Sequence, residues 1–142
     1  MIDEDACSPL RERGYRRLIV DGMNALGSRP DGWWRDRPRA MVRLLGRLQP
    51  LAGPPPALSV EVVFDGRPHQ VVLDAAEAVD VSFAGAGANA ADREIAARVR
   101  AAETPRGVLV VSSDRRLIAA VKAAGGAFQG AGSFLREWVG DG

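Results

Sequence analysis

Short aliphatic runs, each ending in polar turn residues, alternate along the chain with segments whose apolar residues keep helical spacing. Three of these runs lead to an aspartate, at Asp21, Asp65 and Asp114. An apolar run of about four to eight residues bounded by turn signals is typical of a buried strand. The pattern predicts strands at about residues 16–20, 59–64, 79–83 and 108–111, and a short fifth strand at 127–129.

Helical spacing is clearest in residues 38–49, whose apolar residues form one stripe. Pro38 suits the first turn of this helix, and Asn89 suits the cap of a later one. The predicted helices are residues 38–49, 90–102 and 115–124, with a last helical turn or two at 134–139. Residues 71–73 are predicted to form a short extended piece.

Strands that alternate with helices favour a parallel sheet covered by helices on both faces. Because the crossovers between parallel strands are right-handed, the sequence predicts an α/β protein, a three-layer α/β/α sandwich with a central parallel sheet. The 142 residues are enough for one domain with a proper core. We predict a single domain over residues 15–142 and a flexible polar leader over residues 1–14.

The formal net charge of +1 requires neither nucleic acid nor a membrane as a partner. Cys7 and His69 are each the single residue of their type, which excludes cysteine-rich zinc sites and histidine-cluster metal sites. No apolar run reaches the length of a membrane span, and residues 1–13 lack the apolar core of a signal peptide. We therefore expect a cytoplasmic protein with no membrane partner.

Four aspartates are expected to meet at one edge of the sheet. Parallel strands end at the same edge and the following helices begin there, so Asp92, in a first helical turn, joins the three aspartates that follow strands. Clustered carboxylates repel one another unless a cation sits among them, and their hard oxygens suit Mg²⁺ or Mn²⁺. Ions held in this way hydrolyse phosphodiesters. The candidate metal ligands are Asp21, Asp92, Asp114 and, more weakly, Asp65.

Each of these residues also has a structural explanation that stays open. Asp21 and Asp65 each precede a glycine and could simply start a turn, which for Asp65 is the favoured explanation. Asp114 lies just before a helix and could be its cap, and Asp92 in a first turn favours the helix dipole without any ligand. The amide of Asn24 could hold a water on the metal or a substrate phosphate. Ser112 and Ser113 could add hydroxyls, although small residues are common at strand ends for steric reasons alone.

Arginines recur at every fourth residue along one face of the first long helix and its lead-in. A phosphate backbone entering the site could follow them. Two adjacent tryptophans precede this helix, and since both cannot face one core, one of them is free to stack on a base. A solvated helix face is the plainer explanation of the same spacing. The candidate RNA contacts are Arg35, Arg39, Arg43, Arg47, Arg115, Trp33, Trp34 and Ser113.

Three segments resemble the NYN domains of the PIN-like nuclease superfamily, most of all their YacP-like branch. The segments are Asp21-Gly22-Met23-Asn24, Ala90-Ala91-Asp92 and Ser113-Asp114-Arg115, and the similarity extends over about residues 16–138. The resemblance implies a parallel sheet of order 3-2-1-4-5 and Mg²⁺-dependent endoribonuclease activity. It also implies that Asp21, Asp92 and Asp114 are the catalytic metal ligands and that Asn24 is a polar residue of the catalytic site.

Two positions depart from the family pattern. Met23 stands where a tyrosine is frequent, and Arg93 stands where many members carry a second acid next to Asp92. A positive charge beside the metal site would repel a second metal ion and weaken its binding. Glu94 is a poor substitute, because a step of two residues along a helix turns the side chain by about 200°. Catalysis with one ion, or a weakened enzyme, is the consequence.

The leading hypothesis is a metal-dependent ribonuclease that cuts RNA internally, with Mg²⁺ or Mn²⁺ as its cofactor and RNA as its partner. A non-catalytic RNA-binding module of the NYN fold is the alternative that Arg93 favours. A third hypothesis, a nucleotide-cofactor domain, depends on a glycine pattern over residues 85–90 that follows the third strand where the first is expected. A phosphatase with an aspartyl nucleophile would need an acid in place of Met23. The RNA target and the number of chains stay open, and a homodimer is one option.

Overall fold

A parallel sheet of five strands lies at the centre of the computed structural model, which describes residues 8–52 and 58–139. The strands are β1 (Arg17–Asp21), β2 (Ser59–Phe64), β3 (Val79–Phe83), β4 (Val108–Val111) and β5 (Ala127–Gln129). Their order across the sheet is β3-β2-β1-β4-β5, and every neighbouring pair is parallel. Each strand lies within one residue of its predicted bounds, and the strand order is the one that the resemblance implies.

Helices connect and cover these strands. They are α1 (Ser8–Glu12), α2 (Gly22–Gly27), α3 (Arg37–Leu48), α4 (Gln70–Ala75), α5 (Ala90–Ala101), α6 (Arg115–Ala123) and α7 (Ala131–Phe134), which continues as a π-helical turn, Leu135–Val139. Short 3₁₀ turns lie at Trp33–Arg35, Gln49–Ala52 and Pro105–Gly107. Among the helices of the described ranges, none is long and apolar enough to cross a bilayer.

Successive residues of each strand face opposite sides of the sheet and therefore supply two separate cores. Leu18 and Val20 of β1 belong to a core that includes residues of α1, α2, α3, α4 and α7. Ile19, between them, belongs to a second core with residues of α5 and α6. The central strands are buried on both faces, as is usual for parallel sheets. This arrangement confirms the predicted three-layer α/β/α sandwich.

The prediction of an extended piece at residues 71–73 is wrong, because this segment lies inside α4. The backbone N–H groups of Val72 and Leu73 donate to the carbonyl oxygen of His69, which starts the helix. Val72 is completely buried in the core beside β3. Tertiary packing thus outweighs the strand preference of two consecutive valines.

The described part of the predicted leader is not a loose segment. α1 covers residues 8–12, and Leu10 is buried in the core shared with α2 and α3. Residues 1–7 of the predicted leader lie outside the described residues. α1 therefore packs on this side of the sheet as part of the domain.

α2 begins immediately after β1 and was not predicted from the sequence. Its first residue is Gly22, where an added Cβ would lie 2.3 Å from a ring carbon of Phe64. Because Phe64 is fully buried, its ring has no free space into which to retreat. Glycine at this position lets the chain turn into a helix directly against the sheet, and this close turn fixes the direction in which Asp21 leaves β1.

Candidate functional site

The four predicted aspartates lie around the edge of the sheet where β1, β2 and β4 end. Asp21 is the last residue of β1 and is only 5% exposed. Asp65 follows β2, Asp114 precedes α6, and Asp92 lies in the first turn of α5. We call these four residues the acidic rim. The topology brings them together, as the sequence pattern predicted.

Ser112 connects two members of the acidic rim. Its hydroxyl donates to Asp21 Oδ2 at 2.9 Å and accepts from the backbone N–H of Asp114 at 3.0 Å. The residue is completely buried, so water does not compete for these bonds. Ser112 thereby fixes the orientation of the Asp21 carboxylate and ties it to the turn that carries Asp114.

Asn24 and Ser113 hold the backbone around the site. The side-chain oxygen of Asn24 accepts from the backbone N–H of Ser113 at 2.8 Å. The hydroxyl of Ser113 in turn accepts from the backbone N–H of Ala131 at 3.0 Å. These bonds join the starts of α2 and α7 to the end of β4. The hydroxyl of Ser113, a predicted RNA contact, is engaged in a structural bond.

Two rim aspartates also cap helices. Asp114 Oδ1 accepts from the backbone N–H groups of Arg116 and Leu117 at 2.9 and 3.1 Å, which is the cap role left open by the sequence. Asp65 Oδ1 accepts from the N–H of Ala91 at 2.9 Å and so satisfies the start of α5. Asn89 occupies the cap position of α5, but its side chain makes no capping bond. The hydrogen bond predicted for Asn89 is instead supplied by Asp65, which lies just after β2.

Burial and the neighbouring acids raise the pKa values of two rim aspartates. Burial raises the pKa of Asp21 to about 6, the Ser112 hydrogen bond opposes this shift, and the charges of Asp92 and Asp65 add to it. The pKa of Asp92 is also raised, first by burial and then by Asp114 and Asp65. Strong perturbation by burial and like charge is characteristic of functional sites.

The rim is not a closed metal-binding cage. Over residues 8–52 and 58–139, no three Asp, Glu, His or Cys side chains are placed to hold one metal ion together. The chemistry of the donors, carboxylate oxygens only, nevertheless fits a hard divalent cation, and their mutual repulsion is what a cation would relieve. Metal binding stays a prediction, and it requires the side chains to move closer together.

Among the described residues, Arg116 is the arginine whose positive charge acts on Asp92 of the rim. Arg116 lowers the pKa of Asp92 and partly offsets its acidic neighbours. Arg93, expected beside the metal site, instead donates from Nη1 to the carbonyl oxygen of Ala88 at 2.7 Å. Its side chain therefore packs back on the loop before α5, and Arg93 is not among the causes of either shifted pKa.

The predicted RNA contacts separate into distinct groups. Trp33 packs partly against the core, whereas Trp34 is 52% exposed. The two rings contact each other edge-on, with 6.1 Å between their centroids. Arg35 lies in a 3₁₀ turn before α3, with its guanidinium 5.8 Å from the Trp34 ring centroid. The remaining predicted contacts are Arg39, Arg43 and Arg47 on α3 and Arg115 at the start of α6.

Comparison with known proteins identifies the fold. No protein-family model matches the chain, and a search of curated proteins gives no match. A crystal structure of a mutant of Rae1 (YacP) from Bacillus subtilis matches with a TM-score of 0.61 and 23% sequence identity, covering 86% of this chain and 74% of that one. The chain therefore has the α/β fold of the YacP structure, with its acidic rim at the carboxyl edge of the parallel sheet.

Proposed function

We propose that this protein is a Mg²⁺- or Mn²⁺-dependent endoribonuclease of the NYN group within the PIN-like superfamily. The observation that carries the proposal is the acidic rim itself. Asp21 is buried at the end of a central strand, and its burial, with a smaller contribution from the charges of Asp92 and Asp65, raises its pKa to about 6. Such an arrangement opposes folding at neutral pH, and a bound divalent cation would reverse that effect.

Asp21, Asp92 and Asp114 would hold the ion, with Asp65 as a weaker contributor. A divalent cation in this place supplies positive charge that stabilises developing negative charge on phosphate oxygens and promotes the ionisation of water. Asp21 is the fixed member, since Ser112 orients its carboxylate. Asp92 and Asp114 are only half-buried, and we expect them to move toward Asp21 when the cation binds.

The protein's own residues would also prepare the site for a polyanion. Asn24 and Ser113 hold the ends of β1 and β4 in a fixed relation through the bond between their side chain and backbone. Arg116 brings positive charge to Asp92. Fixed groups of this kind favour catalysis because they need little rearrangement when the substrate arrives.

The proposal is tested by incubating end-labelled RNA with the protein in Mn²⁺, in Mg²⁺ and in EDTA. We expect internal cleavage that requires the metal, and a loss of at least about a hundredfold in Asp21→Asn, equivalent to several kcal/mol of transition-state stabilisation. Asp80→Asn is the matched control, because Asp80 is an exposed aspartate near the amino end of β3, away from the rim. Equal rates in wild type and Asp21→Asn would overturn the proposal.

The second candidate is an RNA-binding module without turnover. It is favoured by the absence, over the described ranges, of three acids placed for one ion. Mn²⁺ binding measured by electron paramagnetic resonance distinguishes the two candidates before any RNA is added. The nuclease proposal requires Mn²⁺ binding by wild type that weakens in Asp21→Asn, whereas the binding module requires no such site.

A further inference from the structure

Two adjacent tryptophans lie between α2 and α3, outside the acidic rim. They belong to the 3₁₀ turn Trp33–Arg35, which we call the tryptophan turn. Trp33 is half-buried and packs against the core that includes α2 and α3, whereas Trp34 is 52% exposed. Over the described residues, the other large apolar side chains that reach this degree of exposure are Val71 and Phe128. The exposed indole of Trp34 is therefore an unusual feature of this surface.

The tryptophan turn is held by hydrogen bonds at both ends. Before it, Gly32 has a left-handed φ of 80°, and its carbonyl oxygen accepts from the backbone N–H of Arg35 at 3.0 Å. After it, Asp36 caps α3, and its Oδ1 accepts from the N–H of Arg39 at 3.2 Å. The two indole rings contact each other edge-on, at an interplanar angle of 88°. A partner that stacks on Trp34 thus binds a ring that is already in place, which lowers the entropic cost of binding.

An arginine lies close to each indole. The guanidinium carbon of Arg35 is 5.8 Å from the ring centroid of Trp34, and that of Arg37 is 5.6 Å from the ring centroid of Trp33. Both arginines are exposed. These are cation–π distances, and such a contact leaves the positive charge on the guanidinium. Aromatic rings beside cations are what single-stranded nucleic acids bind, because bases stack on the rings and phosphates are attracted to the cations.

α3 places the tryptophan turn at the same level of the sheet as the acidic rim. At the far end of α3, the side-chain oxygen of Gln49 accepts from the backbone N–H of Ala78 at 2.8 Å, and β3 begins at the next residue. That end of α3 therefore lies at the amino edge of the sheet. The 12 residues of α3 span about 18 Å, close to the length of a five-residue strand. The start of α3, with the tryptophan turn before it, consequently lies level with the carboxyl edge.

We propose that Trp34 is a stacking site for an unpaired base of a single-stranded RNA whose backbone crosses the acidic rim. Arg35 would lie beside the phosphate of the stacked nucleotide. The identity of the ligand as RNA rests on the proposed function, and the stacking site deepens that function by giving the protein affinity for unpaired bases that needs no metal. Of the two tryptophans that the sequence predicts as RNA contacts, the inference selects Trp34, since Trp33 packs against the core.

The test compares two probes in EDTA, where metal-dependent cleavage does not occur. One is a single-stranded oligoadenylate dodecamer and the other is an abasic strand of the same length, each with a 3′ fluorophore and titrated by fluorescence anisotropy. We expect Trp34→Leu to bind oligoadenylate about tenfold more weakly. Its salt slope should equal that of wild type, because no charge is removed. Its affinity for the abasic strand should stay within about twofold of wild type, and Trp34→Phe should keep part of the affinity for oligoadenylate.

The matched control is Phe128→Leu, which removes another exposed aromatic ring. Phe128 is 41% exposed, and Nζ of Lys122 lies 5.8 Å from its ring centroid. Its neighbour Ala127 packs against the core that includes α2 and α3, so Phe128 faces the other side of the sheet from Trp33. We expect Phe128→Leu to bind oligoadenylate within about twofold of wild type. Thermal unfolding of each variant checks that the fold is kept.

The outcomes separate this inference from the proposed function. The stacking site is overturned if Trp34→Leu weakens both probes equally, if it weakens neither, or if Phe128→Leu has the same effect. A dimer that dissociates in Trp34→Leu, with unchanged RNA binding, would instead make this surface a contact between two copies of the chain. If binding to oligoadenylate depends on Trp34 but wild type cleaves nothing with Mn²⁺, the stacking site stands and the nuclease proposal fails. Base-dependent loss in Trp34→Leu, together with metal-dependent cleavage by wild type, supports both.

Discussion

Two buried carboxylates lie close together in the sheet and have opposite surroundings. Glu61 of β2 stands beside Ile19, two residues before Asp21 in β1, and the two acids are 8% and 5% exposed. Glu61 accepts hydrogen bonds from the guanidinium groups of Arg17 and Arg98. Asp21 accepts one from the Ser112 hydroxyl and is affected by the charges of other acids.

Residues of α5 contribute to the surroundings of both acids, with opposite charges. Asp92, in the first turn of α5, raises the pKa of Asp21, whereas Arg98, in its later turns, donates to Glu61 at 2.9 Å. The bond to Glu61 also raises the pKa of Arg17. A buried acid that is paired with cations is explained by structure alone. A buried acid that faces acids is not, and for this reason the proposed site is centred on Asp21.

The largest expected effect on stability is at the paired acid. Glu61→Gln should lower the free energy of unfolding by about 3 kcal/mol, because it leaves Arg17 and Arg98 without their carboxylate. The value is at the low end for a broken buried pair, since both arginines are partly exposed. Urea unfolding at pH 7.5 measures it, with the exposed Glu103→Gln as the control. A loss no greater than that of the control would show that the pairing gives no support.

A change of opposite sign in the free energy of unfolding is expected when Asp21, which faces other acids, is replaced. In the absence of metal at pH 8, Asp21→Asn should raise the free energy of unfolding by about 2 kcal/mol. The shift of its pKa from 3.8 to about 6 corresponds to about 3 kcal/mol of unfavourable ionisation, and the amide that replaces the carboxylate remains a buried polar group. Urea unfolding in EDTA measures the change against Asp80→Asn. Destabilisation by Asp21→Asn would contradict the assignment of Asp21 as an unneutralised charge.

The third expected effect is a pH dependence of stability, which is small for each pH unit. Because the folded pKa of Asp21 is raised, the stability that it contributes is fully present below its unfolded pKa and is lost as pH rises through about 6. Relative to Asp21→Asn, metal-free wild type should lose up to about 1 kcal/mol per pH unit in this window. Unfolding curves collected from pH 4 to 8 measure the difference. Parallel pH profiles for the two proteins would show that Asp21 titrates as an ordinary aspartate.

The strands could be predicted because their signal is local. Each of the five is a short apolar run that ends in turn residues, and the sheet buries those runs on both faces. The segment 71–73 and α2 could not be predicted in the same way. Two valines favour a strand in isolation, and only packing of Val72 into the core makes the segment helical. α2 depends on the close contact between Gly22 and Phe64, which are far apart in the sequence.

The placement of the acids could also be predicted, but their partners could not. A parallel topology sends the ends of β1, β2 and β4 to one edge, and this brought Asp21, Asp65 and Asp114 together. That Asp65 caps α5 in place of Asn89 depends on the distance between two separate loops. Arg93 and Arg116 both follow a rim acid in the sequence, and only the structure shows that Arg93 donates to Ala88 whereas the charge of Arg116 acts on Asp92.

The sequence by itself determined the three-layer sandwich and the edge at which four acids meet, because the alternation of apolar runs and helical segments is a local pattern of neighbouring residues. Only the tertiary structure decided that Ser112 orients Asp21 and that Glu61 forms an ion pair with Arg98. The physical reason is that hydrogen bonds and charge interactions act over a few ångströms in space. The residues that make them are separated by many positions in the chain.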